Sequence, residues 1–373
     1  MKAGWQTKTL GEVIQLPYGK PLDPTDRNPN GMYPAYGANG EKDRTDKFYR
    51  DSPSIIVGRK GSAGEITLTE DRFWPLDVTY FVEFDRQQYD LQFLYYLLVT
   101  LDLPSLAKGV KPGINRNEVY ALPVSYPPLP EQQRIVTLLD EAFDGIATAR
   151  AHAEKNLQNA RAIFESYLQS VFTQWGNGWE EKTLEQISTT FGRGKSKHRP
   201  RNDPALYGGR YPFIQTGDVR NAGHFITAFS QTYSEAGLAQ SKLWPKGTIC
   251  ITIAANIAET GILGFDACFP DSVIGVVPNP NEAEVGFVEY LLQSFKVRIQ
   301  ALGQGSAQAN INMGTFENER FPFPGVAEQR RIVAKLDDLS EETQHLESLY
   351  QRKLTALDEL KKSLLTQAFS GAL

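Results

Sequence analysis

The sequence predicts an α+β protein in which two mixed α/β lobes alternate with two long helices, as a tandem repeat with approximate two-fold symmetry. Three observations support this fold class. Short motifs recur in the same order in both halves of the 373 residues. Each copy contains β-branched runs punctuated by glycine, which are typical of strands joined by tight turns. Each copy then continues into a long segment whose apolar residues alternate at spacings of three and four, the pattern of a coiled-coil helix.

The composition fits a folded protein of two or three domains. The two cysteines, Cys250 and Cys268, and the four histidines show no ligand spacing, so neither a disulfide framework nor a metal site is expected. The N-terminus is polar and no apolar stretch is long enough to span a bilayer, which favours a cytoplasmic protein without membrane association. The net charge of −5 counts mildly against a nucleic-acid partner, so the distribution of basic residues decides that question.

The internal repeat can be followed through matched motifs. The pairs are Gly4-Trp5 with Gly178-Trp179, Tyr33-Pro34 with Tyr211-Pro212, Tyr96-Leu97-Leu98 with Tyr290-Leu291-Leu292, Ile114-Asn115 with Ile311-Asn312, and Glu131–Val136 with Glu328–Val333. Their common order indicates a tandem duplication. It divides the chain into a first lobe over 1–127, a central helix over 128–174, a second lobe over 175–325 and a C-terminal helix over 326–373.

Patterns within the lobes predict their elements. The glycine-punctuated runs Pro53–Ile66 and Pro245–Leu263 predict strands and turns. The segments Phe93–Leu101 and Phe287–Ile299 have apolar residues at helical spacing and predict short helices. Each lobe is therefore expected to contain several strands and few helices.

The two connecting segments predict long helices that pair with each other. The first, Glu131–Phe172, follows a proline-rich stop and contains no proline. The predicted seam residues are Ile135, Leu139, Ile146, Leu157, Phe164 and Tyr167 in the first helix, and Ile332, Leu336, Leu346, Leu357, Leu360 and Leu364 in the second. A helix of roughly 40 residues rises about 60 Å, so antiparallel pairing would place the lobes at opposite ends. A coiled coil that only holds the lobes apart is the plainer interpretation.

Both lobes carry side chains of the types that contact DNA. Arginine and lysine contact guanine or phosphate, asparagine and glutamine contact adenine, and small hydroxyls contact phosphate. The candidates in the first lobe are Lys42, Arg44 and Lys47, then Arg59, Lys60 and Ser62 in the glycine-rich turn Gly58–Gly64, then Lys108, Lys111, Asn115 and Arg116. Those in the second lobe are Arg193, Lys195, Lys197, Arg199 and Arg201, then Gln215, Thr216, Arg220 and Asn221, then Ser306, Gln308 and Asn310. A lone surface cation is more often simply solvated, but no acidic residue interrupts Arg193–Arg201.

Over nearly its whole length the chain resembles the specificity subunits of type I restriction–modification systems. Besides the duplicated lobe-then-helix order, the segments that carry the resemblance are Pro128–Val136 and its echo Glu328–Val333, Tyr33–Gly40, Ile56–Ser62, Tyr211–Arg220 and Leu365–Gly371. The resemblance implies two target recognition domains that read the halves of a split, asymmetric site in double-stranded DNA. It also implies a chain without catalytic site or cofactor. Its implied partners are two DNA adenine methyltransferase subunits that use S-adenosylmethionine, and restriction–translocase subunits that use ATP and Mg²⁺.

Recognisable catalytic motifs are missing from the sequence. Tyr126-Pro127-Pro128-Leu129 lacks the acidic or amide residue of an adenine methyltransferase motif, and Gly194-Lys195-Ser196 lacks the first glycine and the following helix of a phosphate-binding loop. Two alternatives remain. The missing motifs argue against a nuclease or methyltransferase that carries this architecture as a fused module. The basic, glycine-rich loops argue against a coiled-coil interaction scaffold without DNA readout.

Overall fold

The computed structural model describes residues 4–69, 72–174, 176–197, 200, 202–254, 257–303, 311 and 313–373. The chain packs into two compact units. The first comprises Met1–Glu154 with Gln351–Leu373, and the second comprises Lys155–Tyr350. Each unit contains one lobe and a part of both long helices.

The first lobe is built mainly from short strands. Its strands are β1 Gln6–Thr9, β2 Ile14–Gln15, β3 Tyr33–Gly37, β4 Gly40–Thr45, β5 Ile55–Gly58, β6 Ile66–Leu68, β7 Trp74–Pro75, β8 Thr79–Phe81, β9 Glu83–Phe84 and β10 Pro123–Tyr126. Its helices are α1 Leu10–Val13, α2 Leu91–Thr100 and α3 Arg116–Tyr120. The strands form the sheets β4-β3-β7 and β6-β5-β8 and the two-stranded ladders β1-β10 and β2-β9. The β1-β10 ladder joins the two ends of the lobe.

Strand β5 is the centre of its sheet because its side chains suit burial on both faces. Ile55, Ile56 and Val57 are β-branched, and each is at most 1% exposed. Helix α2 packs against β6. The carboxylate of Asp90 caps α2 by accepting a hydrogen bond from the amide of Phe93 at 2.9 Å, and the Phe93 ring is fully buried. The predicted strands and helix of this lobe are confirmed.

The second lobe repeats this plan with a wider sheet. Its strands are β11 Glu180–Lys182, β12 Ser188–Arg193, β13 Tyr207–Phe213, β14 Phe225–Ile226, β15 Gln231–Tyr233, β16 Ile249–Thr252, β17 Thr260–Leu263, β18 Val273–Pro278 and β19 Phe321–Phe323, and its helices are α5 Thr216–Arg220, α6 Glu235–Ala239, α7 Val285–Ser294, α8 Lys296–Gly303 and α9 Met313–Glu317. Five strands form one sheet in the order β12-β18-β16-β17-β14, and β13-β15 and β11-β19 form ladders.

The single helix predicted over Phe287–Ile299 is wrong, because the chain breaks between α7 and α8. The break falls at Phe295, whose ψ of 2° ends the first helix. Its ring packs edge-on against Phe321, with the ring centres 5.4 Å apart. Packing of this ring against Phe321 in the β11-β19 ladder favours two short helices over one continuous helix.

Buried glutamines fasten both lobes to the long helices, α4 over Leu129–Thr173 and α10 over Val326–Ser370, each of 45 residues. The Gln132 amide donates to the carbonyls of Gln88 and Pro127 at 3.0 and 2.9 Å, and its oxygen accepts from the amide of Asp90 at 2.9 Å. The Gln329 amide likewise donates to the carbonyls of Glu282 and Pro324, and its oxygen accepts from the amide of Glu284. Both glutamines are fully buried.

Within each unit the long helices pair antiparallel. In the first unit Arg134 of α4 donates to the carbonyl of Leu373 at 3.3 Å, and Arg150, further along α4, forms an ion pair with Asp358 of α10. The order of the partners is thus reversed along the chain. In the second unit Arg161 lies 2.9 Å from Glu347, and Phe172 shares a core with Leu336. The predicted antiparallel coiled coil is confirmed.

Ten of the predicted seam residues are buried or half-buried: Ile135, Leu139, Ile146, Leu157, Phe164, Ile332, Leu336, Leu346, Leu357 and Leu364. The prediction that Tyr167 and Leu360 lie in the seam is wrong, since they are 37% and 46% exposed. Leu168 and Leu365 are buried instead. A straight helix drifts by about 20° per heptad relative to a 3.5-residue repeat, which moves the buried face by one residue over a long helix.

Candidate nucleic-acid interface

The glycine-rich turn of the first lobe has a backbone that only glycine permits. A Cβ on Gly58 would lie 2.1 Å from the Ser62 carbonyl oxygen, and Gly61 and Gly64 have φ of +85° and +86°. The amide of Gly64 donates to the carbonyl of Gly58 at 2.7 Å and closes the turn. The turn places Lys60 in solvent, while Ser62 is half-buried.

This turn and the second predicted basic segment, residues 108–116, form one continuous surface. The amide of Gly61 donates to the Pro112 carbonyl at 2.9 Å, and the amide of Ile114 donates to the Arg59 carbonyl at 3.1 Å. Lys111 is exposed at the tip of the loop. Lys108 is also exposed, but its ammonium group forms an ion pair with Glu118 at 2.7 Å. The structure therefore brings together two groups of candidates that are far apart in the sequence.

Tyr18 lies at the centre of this surface, between two guanidinium groups. The guanidinium carbons of Arg59 and Arg116 are 5.3 and 5.1 Å from the centre of its ring, and the residue is 51% exposed. Arg116 also donates to the Leu16 carbonyl at 3.3 Å. Cation–π contacts of this kind hold both guanidinium groups against a rigid, solvent-facing ring. The sequence-based candidates did not include Tyr18.

Other first-lobe candidates are engaged in the fold. The Arg44 guanidinium donates to the carbonyls of Gly31 and Met32 and to Glu41, at 2.7 to 2.9 Å. Lys47 donates to both carboxylate oxygens of Asp26 at 2.8 Å, whereas Lys42 is exposed and none of the salt bridges among the described residues includes it. The Asn115 side-chain oxygen caps α3 by accepting from the amide of Asn117 at 2.9 Å.

In the second lobe the predicted basic run begins at the end of β12. The Arg193 side chain is exposed, and its Nε donates to the backbone carbonyl of Asp271 at 2.8 Å. Lys195 and Lys197 are exposed as well. Arg199 and Arg201 lie outside the described residues, as do Ser306, Gln308 and Asn310.

Lys242 is a further cation of this surface and was not among the sequence-based candidates. Its ammonium nitrogen lies 3.6 Å from the centre of the Trp244 ring. Burial lowers the pKa of Lys242, and the charge of Lys195 lowers it further. The Ser241 hydroxyl donates to the Lys195 carbonyl at 2.8 Å and joins the two segments. Two neighbouring ammonium groups that repel each other would be stabilised by an anion such as a phosphate.

The remaining second-lobe candidates surround the short helix α5. Gln215 precedes it, and its side-chain amide donates to Gln231 at 2.7 Å; Thr216, the first residue of the helix, is half-buried. Arg220 and Asn221 are exposed at its other end. Asn221 also lines a cavity of about 370 Å³ with Phe225 and Phe229.

The described residues offer little for covalent or metal chemistry. Cys250 and Cys268 are buried, and burial raises the pKa of both thiols, which disfavours the reactive thiolate. Among the residues described, no three His, Cys, Asp or Glu side chains lie together to hold a metal ion. No helix in the described ranges is both long and apolar enough to cross a membrane.

Two related lobes with basic loops, each continuing into a long helix, define a duplicated DNA-recognition protein. The chain belongs to the family described as type I restriction modification DNA specificity domain, whose sequence profile matches residues 2–157 and again residues 176–355. The chain is therefore the subunit that recognises the DNA sequence in a type I restriction–modification system. In such a system catalysis lies with the partner subunits.

Individual relatives are distant but cover most of the chain. A protein of Haemophilus influenzae named as a type I restriction enzyme specificity subunit is 22% identical over 321 residues, 83% of this chain and 80% of that protein. A chain from a structural study of complex assembly and conformational transition of the type I R-M system has a TM-score of 0.81 at 21% identity, covering 100% of this chain and 99% of that chain. The HsdS subunit from Thermoanaerobacter tengcongensis has a TM-score of 0.65 at 21% identity, with 100% and 98% covered. The predicted fold class is confirmed.

Proposed function

We propose that each lobe reads one half of a bipartite, asymmetric DNA site. The observation that carries the proposal is the first-lobe surface on which Tyr18 lies between Arg59 and Arg116. An exposed ring flanked by two oriented guanidinium groups suits both phosphates and base edges. The second lobe offers a different set: Arg193 is held on the Asp271 carbonyl, and the charge of Lys195 acts on Lys242. Different side chains on related backbones would read different half-sites.

Most of the remaining candidates fall into three groups. Lys42, Lys60, Lys111, Lys195 and Lys197 are exposed, and we assign them to phosphate contacts, which supply affinity without sequence preference. Arg44, Lys108 and Asn115 hydrogen-bond within their own lobe and serve mainly to fix its loops. Arg220 and Asn221, exposed beside α5, are the second lobe's further candidates for base contacts.

We propose that α4 and α10 set the distance between the half-sites and bind two DNA adenine methyltransferase subunits. Apolar side chains remain exposed on both helices: Leu138, Ile163, Leu349 and Leu360 are 40%, 50%, 44% and 46% exposed. Exposed apolar side chains on helices that already have a partner suit a further protein interface. S-adenosylmethionine would bind to the methylating subunits, and ATP and Mg²⁺ to restriction subunits, in the cytoplasm, where DNA is accessible.

Exchange of one lobe tests this function. Residues Gly178–Phe323 are replaced by the corresponding lobe of another specificity subunit, and the chimera is expressed with the methylating subunits. Mapping methylated adenines in the host genome should show one half of the site changed and the other half retained. The matched control replaces the first lobe and should change the opposite half. A change in both halves would contradict the division of labour, and an unchanged site after both exchanges would favour an interaction scaffold without DNA readout.

A further inference from the structure

The residue before one close-packed glycine differs between the two lobes. A Cβ on Gly19 would lie 2.1 Å from the Leu76 carbonyl oxygen, and a Cβ on Gly194 would lie 2.4 Å from the Pro270 carbonyl oxygen. The Gly19 amide donates to the Thr79 carbonyl at 3.0 Å, and the Gly194 amide donates to the Val273 carbonyl at 2.9 Å. Because these contacts are equivalent, Tyr18 and Arg193 occupy equivalent positions.

At a second pair of equivalent positions the arginine is in the first lobe and not in the second. The amide of Arg59 donates to the Val78 carbonyl at 2.9 Å, and the amide of Ile253 donates to the Ser272 carbonyl at 3.0 Å. Arg59 therefore corresponds to Ile253, which is 3% exposed and has no polar atom in its side chain. Where the first lobe has tyrosine and arginine, the second lobe has arginine and isoleucine.

Despite this exchange, each lobe holds one guanidinium group by hydrogen bonds to a backbone carbonyl, and the two carbonyls occupy equivalent positions. In the first lobe Arg59 donates from Nε and Nη2 to the carbonyl of Asp77, at 3.2 and 2.6 Å. In the second lobe Arg193 donates from Nε to the carbonyl of Asp271, which corresponds to Asp77, at 2.8 Å. The two side chains reach this anchor from different strands, since Arg59 follows β5 and Arg193 ends β12.

The anchor orients each guanidinium group and leaves donors for a ligand. An Arg193 held through Nε keeps both terminal nitrogens available, and the Arg59 anchor leaves Nη1 and the second hydrogen of Nη2 available, which together still form a two-donor fork. No carboxylate among the described residues forms a salt bridge with either group. A phosphate contact needs only positive charge, whereas a fork held in one plane suits the O6 and N7 acceptors of guanine in the major groove.

We propose that Arg59 and Arg193 are equivalent guanine-reading residues, one in each half-site. The proposal rests on the function proposed above, in which each lobe reads one half of the site. On this proposal, the two lobes keep the anchoring carbonyl of Asp77 or Asp271. They differ in the strand from which the arginine approaches that carbonyl.

Arginine-to-lysine variants test this proposal because lysine keeps the charge but lacks the planar fork. Arg59→Lys and Arg193→Lys are expressed as full chains with the methylating subunits, and methylated adenines are mapped in the host genome. Each variant should relax the preference for guanine at one position, by about 5- to 150-fold, and in opposite half-sites. The untouched half-site serves as an internal control for a folded complex. Arg27→Lys and Arg210→Lys are matched controls, since these arginines pair with Asp43 and Glu235.

Three outcomes would overturn the proposal. Full guanine preference in both lysine variants would show that positive charge alone suffices. A uniform loss of methylation at all positions would indicate a phosphate contact and not a base contact. Relaxation in the same half-site for both variants would refute the equivalence of the two arginines. The function proposed above fails separately, if exchange of whole lobes leaves the methylated site unchanged.

Discussion

The hydroxyl of Tyr96 donates a hydrogen bond to the carboxylate of Asp140 at 2.5 Å, which ties α2 of the first lobe to the long helix α4. The second copy repeats the contact between Tyr290 and Asp337 at 2.7 Å. Both tyrosines are largely buried. Burial is the main cause that raises the pKa of Tyr96 to about 12, and the hydrogen bond to the Asp140 carboxylate adds to it. The pKa of Tyr290 is raised for the same reasons. The duplication has thus kept a specific polar contact as well as a pattern of apolar residues.

Removal of the Tyr96 hydroxyl should destabilise the first unit in a pH-dependent way. Tyr96→Phe should lower the free energy of unfolding by about 2 kcal/mol near neutral pH, because the Asp140 carboxylate loses a buried donor. A folded pKa above the unfolded value of about 10 means that the tyrosine's contribution is complete below pH 10 and is lost as the pH rises through 12. Urea unfolding should therefore show the difference in free energy of unfolding between the native chain and Tyr96→Phe becoming smaller from pH 10 to pH 12.

The neighbouring Tyr95→Phe provides the control for this measurement. Tyr95 is half-buried and its ring lies 5.5 Å from that of Tyr96. No hydrogen bond to its hydroxyl is found among the described residues. Its substitution should change the free energy of unfolding by less than about 0.5 kcal/mol. Equal losses in the two variants would contradict the importance of the contact with Asp140.

Truncation of the buried glutamine should be more costly than truncation of an exposed one on the same helix. Gln329→Ala leaves the amide of Glu284 and two carbonyls without their buried partner, which should cost about 2–4 kcal/mol. Gln344→Ala removes only a hydrogen bond to Ser340 from an exposed side chain and should cost less than about 0.5 kcal/mol. The midpoints of denaturant unfolding measure the difference. Similar midpoints for the two variants would show that the lobe is fastened elsewhere.

The ring of Tyr18, and not its hydroxyl, should matter for DNA binding. Tyr18→Ala should weaken binding of the methylating complex to its site by about 5-fold, whereas Tyr18→Phe should retain the affinity because a phenyl face still holds both guanidinium groups. Phe48→Ala is the matched control: Phe48 is 44% exposed, and Arg72 lies 5.1 Å from its ring centre. Fluorescence anisotropy with a duplex containing the mapped site measures the affinities. A loss in Tyr18→Phe as large as in Tyr18→Ala would contradict the stacking role.

Replacement of Arg116 should change the salt dependence of binding. If its guanidinium contacts a phosphate, Arg116→Ala should reduce the slope of log affinity against log salt by about one. Lys108→Ala should change this slope less, because Lys108 is already paired with Glu118. Equal slopes for both variants would place Arg116 away from the DNA backbone.

Shortening both long helices together should shorten the methylated site. Deletion of residues 147–153 from α4 and 355–361 from α10 removes Arg150 together with its partner Asp358. One heptad is about 10 Å of helix, or about three base pairs of DNA. Methylated-adenine mapping should show half-sites of unchanged sequence about three base pairs closer together. An unchanged spacing would contradict the spacer role, and deletion from α4 alone, which breaks the pairing, serves as the control.

The repeat and the element types were predictable because their signals are local. The β-branched run at Ile55–Val57 indicates a buried strand from its own residues. The spacing of Ile135 and Leu139 indicates a helix in the same way. The end of α7 at Phe295 was not predictable, since it depends on Phe321, which is close to the ring in space but distant in sequence.

The sequence by itself determined that this chain is a duplicated pair of lobe and helix, and it supplied most of the candidates for DNA contact. Only the tertiary structure decided which of these candidates remain available, and it added Tyr18 and Lys242. Arg44 and Lys47 are engaged by Gly31 and Asp26, while Arg59 and Arg116 meet at Tyr18. The reason is physical: helical and strand periodicity is set by neighbours along the chain, whereas ion pairs, stacking and anchoring carbonyls join residues that only folding brings together.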